Sequence, residues 1–261
     1  MNLKKTWTAE RGRTAVITRE NSSLVQLETD MLRLETGDEV SFAENGKDFA
    51  VIILEGKVRV ACGGRTFGLE RGSVFDGPAD SLFLPRGVSF TVRAEAPSRV
   101  AVAKSPAERD FEPKLVKGQD ARRKTLGKGS YVREASFLIE EAVPCNRFYI
   151  GEFWVKDGNW ASWPPHKHDE DNMPTEGQLE EIYYFEFDKP SGCGVQMVYS
   201  KEGDLDELYR VKSGDFVEIP KGYHPFACAP GYTCYCLWIM GGKDRGIFCT
   251  TEEGHRWQNS I

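Results

Sequence analysis

WASWPPHKHDEDNMPTEGQLEEIYYFEFD, residues 160–188, decides how the rest of the chain is read. Two histidines, His166 and His168, sit one residue apart behind Pro164 and Pro165. In an extended segment residues i and i+2 point to the same side, so both imidazoles can aim at one point while Lys167 faces away. The prolines favour an extended backbone on the approach. Beyond a polar loop, residues 181–187 are rich in aromatic and β-branched side chains, as a strand should be. Further on, EIPKGYHPF (residues 218–226) supplies His224, just behind a Pro220-Lys221-Gly222 turn. The chain has four histidines and three fall at these positions, which favours a shared metal site over three packed side chains. The fourth, His255, lies in a polar tail and is read as solvated. Glu180 and Glu181 compete for the carboxylate role, because strand neighbours face opposite ways.

The stretch resembles the cupin superfamily, whose first motif joins an HxH pair to a glutamate and then a turn glycine. With Glu181 as that glutamate, Asp188 stands in for the glycine, so the resemblance selects Glu181 over Glu180. Gly214, Pro220, Gly222 and His224 resemble the second cupin motif. The resemblance implies a β-barrel holding a divalent metal on His166, His168, Glu181 and His224. Twelve residues separate His168 from Glu181, more than cupins usually have, and the excess is expected to form a loop over the pocket mouth.

Working outward, 261 residues suffice for one large or two ordinary domains. A net charge of −6, with 28% charged and 40% hydrophobic residues, describes a mildly acidic soluble chain able to form a packed core. No broad basic field suggests nucleic acid. No apolar run approaches the roughly 20 residues of a membrane span. The opening MNLKKTWTAERGRT lacks the apolar segment of a signal peptide. Seven scattered cysteines suit a reducing cytoplasm, and Cys234 and Cys236 are read as core residues.

Residues 15–103 read as short β segments. Residues 50–54 end at Glu55-Gly56 and residues 57–61 follow, with further segments after Gly63-Gly64. Such spacing points to a sandwich or barrel. This half also resembles a cupin, but an emptied one. Phe49 stands where a ligand glutamate would fall, Ser89 where the second-motif histidine would fall, and no histidine precedes His166. Residues 105–128 read as a charged linker. The expected organisation is a cupin-like domain without metal ligands at 1–118 and a metal-binding one at 119–261. Residues 131–142 are left open between helix and strand pair. The two halves carry PRG and PKG turns, so the expected fold class is all-β: a bicupin of two jelly-roll barrels or sandwiches.

GKGSYVREASFLI (residues 127–139), GNWASWPPHKHD and PKGYHPFACAPGYTCYCLWIMGG resemble the KduI/IolB-type sugar-acid isomerases. That resemblance implies an aldose–ketose isomerisation, 5-deoxy-D-glucuronate to 2-deoxy-5-keto-D-gluconate, in myo-inositol breakdown. It makes zinc or manganese the first metals to expect. The 4-deoxy-5-keto-uronate isomerases of pectin breakdown share the plan, and an iron-dependent cupin oxygenase is the alternative chemistry. Cupins often dimerise through sheet edges, so a homodimer is possible.

An aldose–ketose shift moves a proton or hydride between C1 and C2 while the carbonyl oxygen gains negative charge. A divalent cation stabilises that charge as a Lewis acid. A separate group must handle the carbon-bound proton. Tyr183 shares the face of Glu181, and Glu218 lies an even number of residues before His224, so both are candidates. A carboxylate on the substrate calls for a cation, and Arg147, Arg133 and Lys221 are candidates.

Overall fold

Lys47–Cys62 forms one 16-residue strand that runs through the core of the N-terminal half. Its first part is apolar in every direction, with residues 49–54 fully buried. That part pairs with Ser98–Pro106 and Ser81–Leu84. Its second part alternates buried and exposed residues and pairs with Arg65–Arg71 and Phe90–Ala94. Gly56 sits at the change of partners. Its φ is +94°, and a Cβ there would lie 2.2 Å from the carbonyl oxygen of Pro97. Only glycine accepts both demands. The segments expected as two strands either side of Glu55-Gly56 are therefore one, and the glycine bends the strand instead of ending it.

The computed structural model describes residues 2–260, which divide into two compact units. One comprises Thr6–Arg122 and Phe137–Ile150; the other comprises Met1–Lys5, Arg123–Ser136 and Gly151–Ile261. The units interleave along the chain instead of meeting once after residue 118. The segment left open at 131–142 is mostly strand, Arg133–Ile139. Helical structure among the described residues is confined to three short 3-10 segments. No helix is long and apolar enough to cross a membrane.

Within the N-terminal unit, the expected vacancy of ligands is filled by rings. Phe49 is fully buried and packs edge-on to Phe90 at 5.0 Å, while Phe42 stacks on Phe90 at 4.8 Å. Ser89 is exposed.

The second unit is built around Leu179–Phe187, which lies between Asp215–Ile219 and Thr233–Gly242 in an antiparallel sheet. Residues 181–187 are all buried, as a strand covered on both faces requires. A four-stranded sheet of Trp160–Ala161, Phe226–Cys228, Gly194–Tyr199 and Asp206–Val211 faces it. Phe185 of the first sheet stacks on Phe226 of the second, centroids 5.0 Å apart, so the core lies between the layers. His166–Lys167 forms a short strand whose partner is Thr250–Thr251 from the tail. The sequence reading of this tail has it packing on the surface with His255 solvated, and the packing is found while the solvated histidine is not. Glu252 N donates to Pro165 O at 2.9 Å, Trp163 Nε1 donates to Gln258 Oε1 at 2.8 Å, and the His255 ring packs on Trp163.

Candidate metal centre

Each imidazole of the HxH pair and His224 is tied through Nδ1 to a main-chain carbonyl. The distances are 3.0 Å for His166 to Pro164 O, 3.1 Å for His168 to Leu179 O, and 3.0 Å for His224 to Gly222 O. A carbonyl oxygen only accepts, so each Nδ1 carries a proton and donates it. This leaves each Nε2 free to present a lone pair, the usual arrangement for imidazole ligands oriented by their surroundings.

Those lone pairs converge. His168 Nε2 and His224 Nε2 each lie 3.2 Å from Glu181 Oε2. Donor atoms of these three residues all fall within 4.8 Å of one another. The His166 ring stands beside them, 5.1 Å from His224 and 6.4 Å from His168 by centroid. His224 is fully buried, yet its Nε2 has no hydrogen-bond partner among the described residues. Buried polar atoms are nearly always satisfied, so an unsatisfied one aimed at a carboxylate and a second imidazole needs an explanation. A divalent cation fits: nitrogen and carboxylate donors suit several such metals.

The charges follow the same geometry. Burial works against the Glu181 carboxylate, but the His168 hydrogen bond and the closeness of both His168 and His224 outweigh it and hold its pKa at about 2. Burial, reinforced by the neighbouring His224 and His168, pushes His166 down to about 3. Burial also works against protonated His168, but Glu181 reverses the balance and raises it above its ordinary value. The cluster therefore holds an ionised carboxylate beside a neutral His166 ring, a donor set suited to a cation.

Local sequence explains how each donor is placed. Glu181 pairs with Ile219 and Met240, with Tyr183 two residues along on the same face. Gly222, at φ +85°, lets the turn before His224 pass within 2.3 Å of Tyr199 O, measured from where a Cβ would stand. Gln196 Nε2 donates to His224 O at 2.8 Å, a contact nothing in the local sequence signals. The long loop after His168 folds as a clamped hairpin. Glu176 Oε1 accepts from Asp169 N (2.9 Å), Glu170 N (3.0 Å) and Lys167 Nζ (2.8 Å). Asp169 Oδ2 accepts from Gly222 N at 2.6 Å, which ties the loop to the His224 turn. Lys167 does face away from the imidazoles, but it is buried beneath this loop.

The profile of the KduI/IolB family matches residues 2–258. The chain belongs to the KduI/IolB family. It is 34% identical over 245 residues to 5-deoxy-glucuronate isomerase of Bacillus licheniformis, covering 92% of this chain and 90% of that one. It is 36% identical over 211 residues to the enzyme of the same name from Shouchella clausii, covering 79% and 78%. A crystal structure of an IolB-like protein from Salmonella typhimurium superposes with a TM-score of 0.95 at 31% identity, covering 99% of this chain and all of that one. Lactobacillus farciminis oxalate decarboxylase superposes at 0.70 with 12% identity, over 100% and 91% of the two chains, a likeness of fold alone. The all-β bicupin expectation holds, and this KduI/IolB-family chain is an isomerase.

The remaining candidates in this KduI/IolB-family protein separate clearly. Tyr183 lies at the cluster: its ring is 5.9 Å from His224 and its hydroxyl 2.6 Å from Ser162 Oγ. Burial, with the Glu181 charge, raises its pKa well above the ordinary value, so it stays protonated. Ser162 was not foreseen; it holds φ +51°, unusual for a non-glycine residue. Glu218 is not with the cluster. It pairs in register with Ile182, hence on the sheet face opposite Glu181, and its carboxylate is 2.8 Å from Lys5 Nζ. Lys221 is exposed and held by Asp204 at 2.6 Å. Arg147 belongs to the other unit, where Pro106 O (3.0 Å) and Glu108 engage its guanidinium. Arg133 lies in the same unit as the imidazole cluster, and its Nη1 is buried without a hydrogen-bond partner among the described residues.

Proposed function

We propose that the chain is a metal-dependent aldose–ketose isomerase that converts 5-deoxy-D-glucuronate to 2-deoxy-5-keto-D-gluconate in myo-inositol catabolism. The observation that carries this reading is the convergence of His168, His224 and Glu181 on one point, with Nδ1 of every ring fixed by a carbonyl. The names of the curated relatives support the substrate. His166, His168, Glu181 and His224 hold the metal, with zinc or manganese the preferred ions. When bound, the ion supplies Lewis-acid stabilisation of charge developing on the substrate carbonyl.

The chain's own residues do the rest. The three carbonyl acceptors keep the imidazoles from turning. Tyr183, protonated at its hydroxyl, donates a hydrogen bond toward substrate oxygen, and Ser162 Oγ orients that hydroxyl. Phe153 packs edge-on to Tyr183 at 5.6 Å and helps keep water from the ring. Seven cysteines, none in a disulfide among the described residues, favour a cytoplasmic location.

The test is an anaerobic proton-NMR assay with 5-deoxy-glucuronate and, separately, 4-deoxy-5-keto-uronate. Metal-replete protein is expected to turn over the first, chelated protein and His224→Ala to turn over neither. His224→Ala should also retain less metal by elemental analysis. A strict requirement for O₂ would replace the isomerase reading with an oxygenase, and preference for the second substrate would move the chain to the pectin branch.

A further inference from the structure

In the unit that carries the imidazole cluster lies a half-buried arginine, Arg133, that no acidic side chain among the described residues neutralises. Arg133 opens the strand Arg133–Ile139, and the carbonyl just before it, Val132 O, is pinned by Asn159 Nδ2 at 3.1 Å. The Arg133 Nη1 is sealed from solvent with no hydrogen-bond partner, and the guanidinium makes no ion pair among the described residues. Other buried cations in the chain are matched. Lys104 meets Asp30 at 3.1 Å, Lys167 meets Asp169, Glu170 and Glu176, and Arg71 donates to the carbonyls of Gly77 and Val74. A buried charge without a counterion is among the least favourable arrangements in a folded protein. Its surroundings connect it to the site: Asn159, which holds Val132 O, lies three residues before Ser162, whose Oγ is 2.6 Å from the Tyr183 hydroxyl, and the Arg133 charge bears on both His166 and Tyr183.

The balance of charge indicates what completes it. A divalent ion held with a single carboxylate, Glu181, keeps net positive charge, and Arg133 adds to it. An anion is then drawn to the chamber, more strongly in its low dielectric than in water. A guanidinium offers a planar fork of donors that matches a carboxylate or phosphate.

We propose that Arg133 anchors the anionic group at one end of a polyhydroxy carbonyl substrate whose other end faces the imidazole cluster. This rests on the reading of the cluster as an isomerase site and adds to it the group that recognises charge. Carboxylate and phosphate share this chemistry, so the experiment includes both.

Isothermal titration calorimetry on metal-loaded protein with D-glucuronate, D-glucose 6-phosphate and D-glucose reads the preference without turnover of the native substrate. Wild type should bind glucuronate about tenfold to hundredfold more tightly than glucose, the range of one or two charge-assisted hydrogen bonds. Arg133→Met should bring the two within about twofold, with metal content unchanged and glucose binding retained. Arg133→Lys, which keeps the charge but loses the fork, should fall between. A wild-type protein with no preference, or an Arg133→Met protein that keeps it, overturns the proposal. Stronger binding of glucose 6-phosphate than glucuronate keeps Arg133 as the anchor but removes the uronate from the proposed function. Should Arg133→Met fail to fold by circular dichroism, Arg133→Lys decides, and an unchanged preference there overturns the proposal.

Discussion

Replacing Lys167 with methionine tests how the segment carrying the HxH pair is secured. Its Nζ reaches Asp169 at 2.8 Å, Glu170 at 2.6 Å and Glu176 at 2.8 Å. These contacts are unequal. The Glu170 side chain is 60% exposed, so its pair contributes under about 1 kcal/mol. The Glu176 side chain is 2% exposed, and loss of the ammonium strands its carboxylate in the interior. Breaking a buried pair this way typically costs about 3–5 kcal/mol. Glu176 keeps the main-chain donors of Asp169 and Glu170, so the lower end, about 3 kcal/mol, is expected. For a chain of this size that is a fall in Tm of about 6–12 °C. Urea denaturation followed by tryptophan fluorescence measures it, in a cycle with Glu176→Gln. The double variant should recover about 2 kcal/mol relative to Lys167→Met, because the stranded charge is gone. A loss below about 1 kcal/mol, or a double variant no more stable than the single, would refute the reasoning.

Gly56→Ala should destabilise the N-terminal unit by more than about 3 kcal/mol, combining a positive φ with the 2.2 Å approach to Pro97 O; an unchanged Tm would mean that the strand bends elsewhere. Acid should weaken the chelated protein in a defined window. His166 titrates at about 3 in the fold against 6.5 when free, so the unfolded chain takes up its proton first and stability falls as pH drops from 6.5 toward 3. Glu181, lowered from 4.5 to about 2, adds stability above 4.5 that is lost as pH falls toward 2, in the same sense. His168, raised, acts oppositely: it favours the fold below 6.5 and loses that effect as pH rises through its folded value. Tm measured against pH should therefore decline less steeply for His166→Ala than for the parent, and superimposable curves would count against the His166 contribution.

The donors were legible because strand parity is a local rule. His166 and His168 differ by two and could be set on one side without knowing their partners, whereas parity left Glu180 and Glu181 open and only the cupin resemblance chose between them. Parity failed for Glu218 because the Pro220-Lys221-Gly222 turn lies between it and His224, and even spacing across a turn carries no face information. The register with Ile182 then puts it on the far side of the sheet. Gly56 misled for a related reason: a glycine that bends a continuous strand looks the same in sequence as one that ends it. Lys221 and Arg147 were plausible only as charges, and their partners, Asp204 and Glu108, are distant in sequence. Ser162, Gln196 and the Thr250–Thr251 strand left no local trace, since each acts through contacts made only after folding.

The aromatic trio of Phe42, Phe49 and Phe90 has an engineering corollary. Introducing glutamate at Phe49 alone would set a bare carboxylate against hydrocarbon, while a histidine at exposed Ser89 would offer an ion a single donor. A second cation site in that half would therefore have to be installed in one step, with ring replacements and donors introduced together.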